Sequence, residues 1–288
     1  MWWVIVLLFI VVVWLLWSRQ QDQFTLKEIP KTIWTYWDSD NLPEIVQKSI
    51  ENWKRYSPDW TINVVTPSNI KEYLPEMDFS KFRPKDFVQR QVDLIRLHLV
   101  SKYGGVWSDA SIAVSRSHNW IIDEQKSRGF EFFGYYREGS TKNQDFPVIE
   151  NWFFAAVPNS QFMNKWRDEF EKTGRYGDVK EYIEDVKKQG VDIQDIPDPA
   201  YLTPYVSAQA VMQTQMTPDE IKNKIHVIKS DDGPFKHSTE NNWDEPKSVK
   251  WLCEQPKHEL PDLIKIYGNE RRAIDADESL KCSYKIFD

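Results

Sequence analysis

The stretch VDLIRLHLVSKYGGVWSDASI, residues 92–112, places a helix, a turn and a strand in direct succession. Its apolar residues recur at helical spacing and, with those just upstream, predict an amphipathic helix over about residues 84–103. Gly104 and Gly105 end this helix, and the apolar residues that follow predict a short buried strand. This succession is typical of an α/β fold, in which the residues after a strand lie at the carboxyl edge of the sheet.

The flanking sequence repeats this alternation of strands and helices. IPKTIWTYWD (29–38) and TINVV (61–65) predict buried strands, and apolar residues at helical spacing between 43 and 56 predict a connecting helix. Strand, helix and strand at this spacing form a βαβ unit. Further strands are predicted for FEFFGYY, NWFFAAV and KIHVIKS, and further helices for residues 160–173, 178–189 and 205–215.

The composition fits one enzyme-sized domain and excludes a general nucleic-acid binder. The chain has 288 residues, with 37 basic and 44 acidic residues for a net charge of −7. A nucleic-acid binder needs clustered Lys and Arg to neutralise phosphates, and the sequence has no basic stripe. The 14 tryptophans are many for this length and predict either core packing or a stacking surface for carbohydrates or nucleobases.

The N-terminal residues 2–17, WWVIVLLFIVVVWLLW, contain no charge and have tryptophans at both ends. A helix of this length spans about 24 Å, short of a hydrocarbon core of ~30 Å, but terminal tryptophans suit the membrane interface. We therefore predict a transmembrane anchor at 2–17, a linker at 18–28 and a globular domain at 29–288. The nearest basic residues all follow the anchor, which favours a single-pass membrane protein whose globular domain faces the cytoplasm.

The two cysteines, Cys253 and Cys282, have neither the spacing of a metal site nor the density of a disulfide framework. The sequence also contains no N-x-Ser/Thr acceptor for N-glycosylation. Both features favour reduced thiols and a domain that faces the cytosol.

Four segments in this order resemble glycosyltransferase family 32 and, within that group, its capsular polysaccharide synthesis relatives. The segments are IPKTIWTYW (29–37), NWKRYSPDWTINVVT (52–66), VDLIRLHLVSKYGGVWSDASI (92–112) and ENWFFAAVPNSQFMNKW (150–166). The resemblance covers roughly residues 29–236. It implies a GT-A fold, with a Rossmann-like mixed sheet flanked by helices that binds a nucleotide sugar, usually with Mn²⁺ or Mg²⁺, and sugar transfer with retention of anomeric configuration.

The resemblance also implies roles for individual residues. Trp37 matches the aromatic residue that stacks near the nucleobase, and Asp93 and Arg96 match the pair that holds the donor sugar. Asp109 matches the first acid of the D-x-D motif, and Ser111 takes the place of the second. Asp93, Arg96 and Asp109 are accordingly the predicted catalytic residues.

A divalent cation would neutralise the diphosphate leaving group, and Asp109 at the end of a strand suits a metal ligand. Ser111 offers a neutral oxygen, which leaves the site one negative charge short of D-x-D. We predict His237 as a further ligand, with Asp231 and Asp232 behind it. A turn aspartate at 109 and an exposed polar loop around 237 are the alternatives.

Further residues are predicted to contact the donor, and several of the predicted contacts have a structural alternative. Gly104 and Gly105 would let the backbone approach the donor closely. Glu150 and Asn151 would contact the donor sugar and acceptor, or else cap a helix or strand. For Asp93 and Arg96 the alternative is a surface ion pair, and for Trp37 it is a place in the core.

The predicted function is therefore a metal-assisted retaining hexosyltransferase that acts on a glycan, glycolipid or protein acceptor. The alternative is a non-catalytic glycan-binding module on a decayed scaffold, for which Ser111 and Val92 are the arguments, since Val92 replaces the serine usual before the helix acid. Nucleotide-sugar hydrolysis without an acceptor is a third possibility.

Overall fold

The computed structural model describes residues 27–78 and 87–288, which form a mixed α/β fold. A six-stranded sheet runs through its centre in the order β2-β1-β3-β6-β5-β7. Its strands are β1 (Thr32–Tyr36), β2 (Thr61–Val65), β3 (Gly105–Ser108), β5 (Phe132–Tyr136), β6 (Ile149–Ala156) and β7 (Ile225–Lys229). β1 pairs in parallel with β2 and β3, whereas β6 is antiparallel to both of its neighbours. The predicted mixed sheet is confirmed.

Helices cover both faces of this sheet. Those that the structure describes are α1 (Glu44–Tyr56), α2 (Ile70–Tyr73), α3 (Phe87–Tyr103), α4 (Asn119–Arg128), α5 (Gln161–Glu171), α6 (Val179–Lys188), α7 (Thr203–Gln215), α8 (Pro218–Lys224), α9 (Lys236–Thr239), α10 (Glu245–Glu254) and α11 (Gly268–Ala276). The elements predicted between residues 29 and 230 are confirmed to within a few residues, because apolar periodicity marked each of them.

Neighbouring side chains on each central strand point to opposite faces of the sheet, where they enter two separate cores. Ile33 and Val106 belong to one core, and Trp34 and Trp107 belong to the other, which α3 covers. This alternation follows from the two-residue period of a strand. The sheet is therefore buried on both faces, and only its edges and strand ends are left to form a site.

Gly104 and Gly105 allow β3 to pack closely, but they do not face a ligand. Gly105 has a φ of 91°, and a Cβ there would lie 2.5 Å from the carbonyl oxygen of Thr32 in β1. A Cβ on Gly104 would lie 2.7 Å from Pro158. Both glycines stand at the amino end of β3, whereas Asp109 follows its carboxyl end. The predicted donor contacts of these two glycines are therefore wrong.

A second, two-stranded sheet joins the C-terminal region to the end of β3. β4 (Ile112–Val114) pairs antiparallel with β8 (Leu263–Lys265), with Ile112 opposite Lys265. The sequence did not predict this pairing, because each strand has only three residues and they lie about 150 positions apart. The pairing brings Lys265 next to the residues that follow β3.

Cys253 in α10 and Cys282 form a disulfide bond across 29 positions of sequence, with Cα atoms 5.3 Å apart. Cys282 lies in the 3₁₀ segment Glu278–Phe287, which packs against α10 and α11. The prediction of reduced thiols is therefore wrong. Two cysteines in separate segments give no sign in the sequence that folding brings them together.

The predicted anchor at residues 2–17, and residues 18–26 of the predicted linker, lie outside the described residues. Within 27–78 and 87–288, no helix has both the length and the apolar composition needed to span a bilayer. The single-pass localisation predicted from the sequence is corrected to this extent: no helix among the described residues supplies the membrane span.

Replacing Gly105 by alanine should destabilise the fold, because the new methyl group meets the backbone of β1 and a positive φ strains any other residue. We expect Gly105→Ala to lose at least about 2 kcal/mol of unfolding free energy. Gly139 is the matched control, since a Cβ there meets nothing within 4 Å. Equal urea midpoints for Gly105→Ala and Gly139→Ala would contradict the packing of β1 against β3.

Removing the disulfide should also lower stability, because the bond closes a loop of about 30 residues in the unfolded chain. The loop length corresponds to about 3–4 kcal/mol. We expect Cys253→Ser, Cys282→Ser and the reduced wild-type protein to show the same lowered melting temperature. A protein whose melting temperature is unchanged by a reductant would lack this bond.

Candidate active site

A cavity of about 400 Å³ opens beyond the carboxyl ends of β1 and β3. Residues from β1, α3, the segment after β3, β8 and α11 line it. They are Tyr36, Trp37, Asp38, Gln89, Val92, Arg96, Asp109, Ala110, Ser111, Lys265 and Arg271. The predicted residues Trp37, Arg96, Asp109 and Ser111 are thus brought together. Trp37 and Asp109 meet as expected for residues that follow neighbouring parallel strands.

Trp37 forms an aromatic wall of the cavity. Its backbone amide donates to the carbonyl of Val65 at 3.0 Å, which fixes the chain as it leaves β1. The ring is half-buried, and the guanidinium of Arg271 stands over it, 5.5 Å from the ring centroid. An aromatic face next to a fixed cation suits a nucleobase followed by phosphate.

Asp109 follows β3, and its carboxylate contacts the side chains of three residues. The Trp107 indole N–H donates to Oδ1 at 3.0 Å, and the Lys265 ammonium donates to Oδ2 at 2.8 Å. Arg96 Nη1 lies 3.5 Å from Oδ1. Burial by itself would raise the pKa of Asp109, but the charges of Lys265 and Arg96 outweigh it and hold this pKa below its ordinary value. Asp109 is therefore a carboxylate held between two cations.

Arg96 is fixed from behind by Asp93 and Asn151, which do not line the cavity. Arg96 Nε lies 3.4 Å from Asp93 Oδ1, and Arg96 Nη1 donates to the carbonyl of Asn151. The Asn151 side-chain amide donates to Asp93 Oδ1 at 2.9 Å. The guanidinium also lies 5.0 Å from the centroid of the Trp107 ring. The interpretation of Asp93 and Arg96 as a surface ion pair is wrong, since both are only 5% exposed.

The residues at the D-x-D position do not fit a divalent metal ion. The Ser111 hydroxyl donates to the carbonyl of Ile266 at 2.7 Å and accepts from Lys265 Nζ at 3.1 Å. Both oxygens of Asp109 already accept hydrogen bonds. Within residues 27–78 and 87–288, no group of three or more His, Cys, Asp or Glu side chains is arranged to hold a metal ion.

His237 is not brought to this site, so its predicted role as a metal ligand is wrong. It is 1% exposed, and its Nε2 lies 3.1 Å from Oε1 of the buried Glu270. Asp232 forms an ion pair with Lys229 at 2.7 Å, and neither it nor Asp231 lines the cavity. The short helix α9, which contains His237, folds inward so that His237 meets Glu270 of α11, which sequence spacing could not reveal.

Glu150 is also buried away from the cavity, and its predicted donor contact is wrong. It is 3% exposed and accepts from the Tyr205 hydroxyl at 2.5 Å and the Trp152 indole at 2.8 Å. Burial raises the pKa of Glu150 above its ordinary value, although these hydrogen bonds act in the opposite direction. This carboxyl group joins β6 to α7 in the wall behind the site.

Among the cationic residues of the cavity, sequence reasoning missed Lys265 and Arg271. Lys265 stands inside the apolar run LIKI, and a lysine within an otherwise buried strand is a recognisable sign of a paired charge. Arg271 belongs to the run NERR at the start of α11, where nothing in the sequence separates it from Arg272.

Comparison with known proteins finds several glycosyltransferases. O-glycosyltransferase braB of Annulohypoxylon truncatum is 29% identical over 163 residues, which are 49% of this chain and 37% of that protein. Glycosyltransferase afumC of Aspergillus fumigatus is 27% identical over 157 residues, which are 49% of this chain and 39% of that protein. The matched part of the chain therefore spans less than half the length of these two relatives.

Among solved structures, the PaToxG glycosyltransferase is 16% identical with a TM-score of 0.39, covering 92% of this chain and 88% of that one. A glycosyltransferase involved in the glycosylation of the major capsid of PBCV-1 is 10% identical with a TM-score of 0.44, covering 87% and 98%. The family model "Capsular polysaccharide synthesis protein" matches residues 15–175. Since this match spans more than half of the 288 residues, the chain belongs to the capsular polysaccharide synthesis protein family.

Proposed function

We propose that this chain is a glycosyltransferase of the GT-A type that moves a hexose from a nucleotide sugar to a glycan, glycolipid or protein acceptor, with retention of anomeric configuration. The observation that carries the proposal is the cavity at the ends of β1 and β3. It combines one aromatic wall, Trp37, with three cationic side chains, Arg96, Lys265 and Arg271. A nucleoside diphosphate needs both features, an aromatic surface for its base and fixed positive charge for its phosphates.

In this proposal, different residues of the cavity bind different parts of the donor. Trp37 and Arg271 receive the nucleobase and ribose end, and Lys265 and Arg96 receive the diphosphate. As the glycosidic bond breaks, charge builds on the leaving diphosphate, and preorganised cations in a partly desolvated site stabilise that charge. Arg96 is suited to this role because Asp93 and Asn151 hold its guanidinium in place before the donor arrives.

The relatives support sugar transfer in preference to glycan binding alone, since those that match along half of this chain are named glycosyltransferases. The two sequence departures that suggested decay have structural roles. Ser111 takes part in a complete hydrogen-bond arrangement, and Val92 adds an apolar surface to the cavity.

The direct test is to incubate the full chain with a panel of nucleotide sugars and candidate acceptors, and to measure release of the nucleoside diphosphate and labelling of the acceptor. We expect one donor to be consumed faster when its acceptor is present. Binding of glycans without affinity for any nucleotide would instead identify a non-catalytic module. Donor consumption that no acceptor accelerates would indicate hydrolysis.

The pair Arg271 and Arg272 offers a matched test of the nucleotide end of the cavity. Arg271 lines the cavity and stands over Trp37, whereas its neighbour Arg272 is exposed and contacts Asn269. We expect Arg271→Ala to weaken donor binding by about tenfold, or ~1.4 kcal/mol, and Arg272→Ala to leave it unchanged. Isothermal titration calorimetry measures both. Equal affinities in the two variants would place the donor elsewhere.

Protonation of Asp93 should lower the transfer activity at acidic pH. Burial raises the pKa of Asp93 to about 6, although the charge of Arg96 acts in the opposite direction. Above this pH the carboxylate is charged and orients Arg96; below it the carboxyl group is neutral and the ion pair is lost. We therefore expect turnover to fall as the pH is lowered through about 6, approaching tenfold per pH unit.

The variant Asp93→Asn is the control for this assignment, because its amide does not titrate. We expect it to be less active than wild type at pH 7.5 and nearly independent of pH between 5 and 7, a range chosen to bracket the value of about 6. Urea unfolding at both ends of this range checks that the proteins stay folded. The same fall in activity at acidic pH in both proteins would assign the titration to a group other than Asp93.

A further inference from the structure

Lys265 contacts both residues at the D-x-D positions, Asp109 and Ser111. Its strand, β8, pairs with β4, and its backbone N–H donates to the carbonyl of Pro234 at 3.0 Å. The ammonium then lies 2.8 Å from Asp109 Oδ2 and 3.1 Å from Ser111 Oγ. These are the two side chains that would hold a metal ion if the site followed the D-x-D pattern. The side chain of Lys265 is only 9% exposed, so its charge is fixed inside the protein.

Both carboxylate oxygens of Asp109 and the hydroxyl oxygen of Ser111 already accept a hydrogen bond from a neighbouring donor. Asp109 Oδ1 accepts from the Trp107 indole at 3.0 Å and lies near Arg96. The hydroxyl hydrogen of Ser111 points to the carbonyl of Ile266 at 2.7 Å, while its oxygen accepts from Lys265. A metal ion at this position would have to displace the ammonium and break the arrangement around it.

The charges that line the cavity favour an anion without added metal. Arg96, Lys265 and Arg271 supply three positive charges, and Asp38 and Asp109 supply two negative charges. The sum, three minus two, is one positive charge. A divalent cation would add two more beside Lys265 and Arg96, and the repulsion would oppose its binding. A diphosphate, in contrast, meets complementary charge.

We propose, on the basis of the proposed function, that Lys265 is a built-in replacement for the divalent cation, so that the chain binds the diphosphate of its donor without a metal ion. Asp109 then acts as a positioning residue that holds the ammonium towards the cavity. Ser111 suits this arrangement better than a second aspartate, because one carboxylate already balances the single charge of Lys265. The proposal therefore accounts both for Ser111 in place of the second aspartate and for the buried charge of Lys265.

The test compares nucleoside diphosphate binding by the full chain in EDTA and in excess Mn²⁺, using UDP, GDP, ADP and TDP in calorimetry. We expect one of them to bind with the same affinity, within a factor of two, under both conditions. Electron paramagnetic resonance of Mn²⁺ added alone should show the free aqueous ion in unchanged amount. Both measurements use the wild-type protein and so do not depend on the folding of a variant.

Variants then assign the effect to the lysine. We expect Lys265→Met, which keeps the length of the side chain but not its charge, to weaken nucleotide binding at least tenfold in EDTA, and Lys265→Arg to retain most of it. Lys229→Met is the control, since Lys229 pairs with Glu138 and Asp232 away from the cavity. Unchanged binding in Lys265→Met would overturn the inference.

Two further outcomes separate this inference from the proposed function. Nucleotide binding that appears only with Mn²⁺ would overturn the inference and leave the proposed function intact. No binding of any of the four nucleotides under either condition would overturn the proposed function, and the inference with it.

Discussion

The ion pair between Lys265 and Asp109 determines how the candidate site is built. An ammonium that is almost fully buried costs free energy unless a carboxylate lies within hydrogen-bond distance, and here the two atoms are 2.8 Å apart. The partners are 156 positions apart in the chain. The pair therefore requires that β8 lie beside β4, just after the end of β3, so this contact joins the central sheet to the C-terminal third of the chain. Removing Asp109 would leave the ammonium of Lys265 buried without an anionic partner.

The arrangement around Arg96 depends on the same region. Its guanidinium lies on the Trp107 ring, beside Asp109, and is held from behind by Asp93. α3 supplies both Asp93 and Arg96, and β6 supplies the Asn151 carbonyl that accepts from Arg96. Rigid elements thus fix Arg96 before any ligand binds. A site built in this way spends little free energy on ordering its side chains when an anion enters.

Much of the fold could be predicted from the sequence, because strands and helices between residues 29 and 230 carry strong apolar periodicity. The same reasoning placed Trp37, Arg96 and Asp109 at one edge of the sheet, since the carboxyl ends of neighbouring parallel strands meet there. The failures share a physical cause. Lys265 and the Cys253–Cys282 bond depend on contacts between distant segments, and a local pattern does not reveal the partner, even where a lysine in an apolar run indicates a paired charge.

The errors at Gly104, Gly105 and His237 have a different origin. A glycine pair before a strand indicates a close backbone approach, but the sequence does not say whether the neighbour is a ligand or, as here, another strand. A histidine in a polar loop indicates exposure, yet His237 turns inward to meet Glu270. For the glycine pair and for His237, the local sequence is compatible with two environments, and tertiary packing determines which one forms.

A crystal structure with the bound nucleoside diphosphate, grown in Mn²⁺ and measured at a wavelength where manganese scatters anomalously, tests the central claim most directly. Our account predicts that phosphate oxygens lie within hydrogen-bond distance of Lys265 Nζ and Arg96, with the contact between Lys265 and Asp109 retained and no anomalous peak beside Asp109. An anomalous peak between Asp109 and the diphosphate, with the Lys265 ammonium displaced, would contradict it.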